Sequence, residues 1–109
     1  MTEQTIGQFL NINSEIGNSS LDIWLKSVLT KTVAQLTPKD CCIALRQGLG
    51  LEVFVPRALQ ILNEDPFAGD QFDGELFSCL FRSPRSFWQA NTQLKKELAV
   101  IASKGILDF

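Results

Sequence analysis

Five carboxylates fall within residues 63–76, NEDPFAGDQFDGEL: Glu64, Asp65, Asp70, Asp73 and Glu75. Phe67 and Phe72 lie among them, and the stretch contains no Lys or Arg. Side chains of these types can move protons, hold a cation, or attract a basic partner. A pair such as Asp70 and Asp73 has the groups for acid–base work. No phosphate cradle or oxyanion-hole motif accompanies it, and Gly48-Leu49-Gly50 lacks the third glycine and preceding strand of a dinucleotide site. Calcium fits no better. An EF-hand loop needs oxygens at positions 1, 3 and 5 and glycine at 6. Counted from Asp65, positions 3 and 5 are Phe67 and Gly69, and counted from Asp70, position 3 is Phe72. That leaves recognition: a negative patch that speeds encounter with a basic protein, with Phe67 or Phe72 as buried anchors. The plain alternative is a solvated loop capped at Asp65 and Asp73, its aromatics turned onto the core.

The rest of the composition narrows the chemistry further. The chain has no histidine, so the usual base near neutral pH and the Ser-His, Cys-His and His-metal constellations are missing. Its cysteines are Cys41, Cys42 and Cys79, each in an apolar run and none in a CxxC pair. They read as small buried hydrophobes, not as a disulfide framework or a zinc site. No metal or other cofactor is expected. A carboxylate- or Cys79-dependent enzyme remains the weakest of the alternatives, behind a helical adaptor with an endogenous partner.

The elements that must position the acidic stretch are helical. In SSLDIWLKSVLTKTVAQL, residues Leu21, Trp24, Leu25, Val28, Leu29, Val33 and Leu36 recur at spacings of three and four, which predicts one helix capped at Ser20. Thr37-Pro38-Lys39-Asp40 starts a second helix, which carries Cys41, Cys42 and Leu45 and stops at Gly48. A third spans about Glu52 to Asn63, bent or restarted at Pro56 and closed by Pro66. Asp73 is expected to cap a short helix with Leu76, Cys79 and Leu80 inward. Ser83-Pro84 opens a last long helix, RSFWQANTQLKKELAVIASK, ending at Gly105. In it Phe87, Leu94, Leu98 and Ile101 form the inner stripe, Lys95 and Lys96 face water, and Trp88 is expected to be partly exposed. Ile6, Phe9 and Leu10 suggest a further short helix, and Asn11–Ser20 reads as a loop. No run alternates long enough for a sheet. The expected fold is all-α, a compact bundle of five or six helices, with residues 1–109 forming a single domain.

Apolar residues make up 45% and charged residues 20% of the 109, ordinary for a globular chain. The net charge is −2, but residues 63–76 carry −5, while the remaining charges are ten basic and seven acidic. A patch of that sign argues against direct binding of nucleic acid at this face. No apolar run reaches the roughly 20 residues of a membrane span, and the N-terminus lacks the basic and apolar regions of a signal peptide. A cytoplasmic protein without membrane contact is expected.

One stretch, LRQGLGLEVFVPRALQILNEDPFAGDQFDGELFSCLF followed by SPRSFW, resembles the immunity proteins of bacterial contact-dependent growth inhibition (CDI) systems, the CdiI group. The matching features are Leu45-Arg46-Gln47, Leu51…Pro56…Ala58-Leu59, Asp65-Pro66, Asp73-Gly74-Glu75-Leu76 and Phe87-Trp88. The resemblance implies a small helical inhibitor that binds the C-terminal toxin domain of a cognate delivery protein. Such toxins are frequently nucleases with basic active sites, so the acidic loop could occupy a cationic cleft. On this reading the chain is not an enzyme. Glu64, Asp65, Asp70, Asp73 and Glu75 form its electrostatic footprint, and Phe67 and Phe72 its anchors. The identity of the toxin and the oligomeric state stay open.

Overall fold

A computed structural model describes residues 4–10 and 19–103, apart from the Phe9 side chain. The expected loop over 11–18 and the stop at Gly105 lie outside the described residues. The chain divides into two compact units, Met1–Leu36 and Thr37–Phe109. Among the described residues there are seven α-helices, one short 3₁₀ turn and no strand, so the all-α expectation holds.

In the first unit, α1 (Ile6–Leu10) packs against α2 (Ser20–Leu29). An isolated antiparallel bridge joins Thr5 to Thr32, and the Ile6 amide donates to the Lys31 carbonyl at 2.8 Å. The cap of α2 is Ser19, one residue earlier than expected. Its hydroxyl accepts from the Asp22 amide while the Asp22 carboxylate accepts from the Ser19 amide, a closed capping box that Ser20 could not make. The single long helix read through Leu36 is also corrected. It ends at Thr30, whose hydroxyl bonds back to the Ser27 carbonyl, and the chain restarts as a 3₁₀ turn, Val33–Gln35. β-branched Thr30, Thr32 and Val33 lower the helical preference there. Val28 and Leu36 are fully buried nonetheless.

The second unit contains α3 (Pro38–Gln47), α4 (Leu51–Glu64), α5 (Glu75–Phe81), α6 (Arg85–Ala90) and α7 (Thr92–Ile101). Helix α3 follows its sequence signals closely. Thr37 caps it with Asp40 in a capping box, Pro38 opens it, and Gly48 ends it in the left-handed conformation at φ 65°. Helix α4 runs through Pro56 without a restart, although the proline in its second turn withholds one amide donor. Helices α3, α4 and α5 pack on one another, α7 packs on α4, and α6 packs on α7. Phe54, Leu59, Leu62, Leu76, Leu80 and Ile101 are almost wholly removed from water. Each such side chain contributes roughly 1.5–3 kcal/mol of burial free energy.

Three further expectations fail in this unit. Asp73 does not cap α5; Gly74 does, at φ 82°, and it has no side chain to bond the first turn. Ser83 does not cap α6, because its hydroxyl is turned back onto the Cys79 carbonyl at 3.1 Å. The last long helix is two helices. Asn91 leaves helical geometry at φ −130°, ψ 64°, and its amide side chain donates to the Phe87 carbonyl at 2.8 Å, so α6 stops there and α7 begins anew. The shortened α6 then exchanges the expected roles of its aromatics. Trp88 is buried, while Phe87 is half-buried and meets it edge-on, with ring centroids 5.4 Å apart.

Candidate functional site

Helix α4 delivers the chain into the acidic stretch, and α5 receives it. Between them residues 65–76 close into a compact loop with paired ends. The Gly74 amide donates to the Phe67 carbonyl at 2.8 Å and the Leu76 amide to the Ala68 carbonyl at 3.1 Å. Asp65 steers the entry, its Oδ1 accepting from the Phe67 amide at 3.1 Å. Gly69 is required by close approach. A Cβ there would stand 2.2 Å from the Phe72 carbonyl oxygen and 2.8 Å from the Glu75 Cβ.

The five carboxylates do not share one environment. Glu64, Asp65, Asp70 and Asp73 are exposed. Glu75 is wholly buried, at 0% exposure, and turns under the loop. Its Oε1 accepts from the Asp70 amide at 2.7 Å and from the Gln71 amide at 2.9 Å, and its Oε2 is ion-paired with the Arg46 guanidinium at the end of α3. Glu75 therefore stands apart from the surface footprint to which its charge assigned it. It is the internal acceptor around which the loop is wound. The helical spacing held a sign of this: Glu75 precedes Cys79 by four positions and so shares the inward stripe of α5.

Turned outward by this arrangement, Phe67 is 53% and Phe72 58% exposed. Neither plugs the loop onto the core; Ala68 is the buried residue between them. The surface thus displays two aromatic rings among four carboxylates, on a backbone fixed from beneath by an ion pair whose carboxylate is buried.

Two of the three cysteines, Cys41 and Cys42, are held as thiols. Burial pushes the Cys41 thiol up to about 12, opposed by the positive charge of Arg57 and reinforced by Asp40. Burial likewise raises Cys42 to about 12, and the charge of Cys79 and a hydrogen bond with it add to the effect. Thiols held protonated in this way are inert at neutral pH. Among the described residues no group of Cys, Asp and Glu is arranged to hold a metal ion, and no helix is long and apolar enough to cross a membrane.

Comparison with known families decides what these features belong to. The family model of the CDI immunity proteins matches residues 8–98, which include the whole acidic loop and its two supporting helices. The chain belongs to that family. No curated protein sequence matches it. As a CDI immunity protein it is a non-enzymatic inhibitor of a cognate CDI toxin. The resemblance carried by the stretch from Leu45 to Trp88 thus extends over most of the chain.

Proposed function

We propose that this CDI immunity protein neutralises its toxin through the face built on the 65–76 loop and the end of α4. Glu64, Asp65, Asp70 and Asp73 supply the negative potential, and Phe67 and Phe72 enter apolar recesses of the toxin. Glu75 serves the same face from below by fixing the loop. The toxin surface that receives it is basic, as the phosphate-holding cleft of a nuclease is, and occupation by four carboxylates excludes nucleic acid from it. The immunity protein touches toxin alone and binds no nucleic acid itself. The contact is of ordinary size, about 800 Å² per partner, and it forms in the cytoplasm.

The observation that carries this reading is the exposure of two phenylalanines on a loop that its own hydrogen bonds and Glu75 already tie together. Large exposed aromatics cost solubility unless a partner covers them. A prefixed loop also loses little conformational entropy on docking, so more of the contact energy is retained as affinity. The test is stopped-flow association with the toxin domain encoded beside the immunity gene, at low and at physiological salt. Asp70→Lys combined with Asp73→Lys should lower the association rate about tenfold at low salt and flatten its salt dependence. An unchanged rate at both salt levels refutes the footprint.

A further inference from the structure

The acidic loop borders a feature of opposite sign. A recess of about 360 Å³ lies between α3 and α5, lined by Arg46, Glu75 and Arg82 together with Phe72 and the side chains of Leu45 and Cys79. Its two guanidiniums are not equivalent. Arg46 is neutralised by Glu75, whose oxygens are already taken up by that pair and by the Asp70 and Gln71 amides. Arg82 follows α5 as its C-terminal cap. Its backbone amide is bonded to the Ser78 and Leu80 carbonyls, but its side chain has no hydrogen bond or ion pair among the described residues. Among the described residues the recess therefore carries one positive charge without a counter-charge, beside a ring that the proposed interface covers.

Covering Phe72 withdraws water from the recess it lines. A guanidinium stripped of water without a counter-charge opposes binding, and one that gains a carboxylate favours it. Arg presents a planar fork that matches a carboxylate in two-point fashion. We propose that this recess receives one carboxylate side chain, Asp or Glu, of the toxin, paired with Arg82. The inference rests on the toxin-binding role assigned to the loop. It adds that the complementary toxin surface is of mixed sign, basic against the loop and acidic at one point beside it.

The sign of the effect separates this pairing from general electrostatics. If the partner were uniformly basic, deleting a positive charge at Arg82 would speed association and tighten the complex. If Arg82 meets a carboxylate, Arg82→Ala leaves association unchanged or faster, yet raises the dissociation rate roughly tenfold. Arg82→Lys, which keeps the charge and loses the fork, should recover part of that loss. The experiment is surface-plasmon or stopped-flow kinetics of the full-length immunity protein with the toxin domain encoded beside it, with circular dichroism to verify each variant's fold. A scan of toxin Asp and Glu residues to Lys should then yield one variant that prefers Arg82→Glu to the wild-type immunity protein. Unchanged or slower dissociation of Arg82→Ala overturns the proposal, as does a scan with no such charge swap. The two readings fail separately. If Asp70→Lys with Asp73→Lys slows association while Arg82→Ala has no effect, only the recess is refuted; if the wild-type chain does not bind the toxin, both are.

Discussion

Removing either end of the Arg46–Glu75 pair should cost different amounts, and the difference follows from where each charge is left. In Glu75→Ala the abandoned group is Arg46, whose side chain is 45% exposed and can rehydrate. The Asp70 and Gln71 amides also lose an acceptor, but both residues are exposed and water can replace it. The net loss is that of charge-assisted hydrogen bonds partly made good by solvent, about 2 kcal/mol. In Arg46→Ala the abandoned group is a carboxylate at 0% exposure, still tied to two amides and without its counter-charge. Breaking a buried pair from that side costs about 3–5 kcal/mol. A chain of this length has roughly 5–15 kcal/mol of total stability, so Arg46→Ala should lower the melting temperature by more than about 10 °C. The double variant removes the stranded charge and should be more stable than Arg46→Ala alone, an interaction energy of about 2 kcal/mol. Urea unfolding followed by tryptophan fluorescence in a Trp24→Phe background measures this, since the remaining Trp88 is buried in the unit that holds the pair. If Arg46→Ala falls within 1 kcal/mol of wild type, or if the two single losses add, the buried pair does not organise the loop as described.

Gly69→Ala places a methyl group against the Phe72 carbonyl oxygen at 2.2 Å and the Glu75 Cβ at 2.8 Å; it should destabilise the protein by at least about 2 kcal/mol and weaken toxin binding, and a variant of wild-type melting temperature contradicts the close approach. Alkaline pH should weaken the fold through the buried thiols. Cys41 and Cys42 keep their protons to about pH 12 when folded, against 9.0 for the ordinary group. The folded state thus holds protons that the unfolded chain releases above pH 9, so stability is intact below 9 and falls as pH rises toward 12. The stability advantage of wild type over Cys41→Ala should shrink by about 2 kcal/mol between pH 8 and pH 10.5, a slope near 1.4 kcal/mol per pH unit once the unfolded thiol has ionised; a pH-independent difference refutes it.

Some signals contained within a few residues were legible in the sequence, and the contact spanning the chain was not. Thr37-Pro38…Asp40 and Gly48 bounded α3 correctly because caps are local chemistry, a hydroxyl and an amide three residues apart or one backbone in left-handed geometry. The breaks at Thr30 and Asn91 escaped notice because each depends on a side chain bonding a nearby carbonyl, at Ser27 and Phe87, in competition with a helix that apolar periodicity would have continued. The acidic stretch is legible as a loop, but the sequence leaves open whether Phe67 and Phe72 face outward, and its composition counts one surface charge too many. Glu75 looks like its four neighbours in composition. What distinguishes it is a partner 29 positions away, at the far end of another helix. The four-residue spacing to Cys79 points Glu75 inward but does not name this partner, whereas packing α3 on α5 supplies it at once. The same burial that takes Glu75 off the surface helps to hold the other four carboxylates of the proposed footprint together, since a patch of like charges is held close only where something fixes the backbone against their repulsion. The fifth charge does that by being turned inside, where Arg46 cancels it and two loop amides hold it.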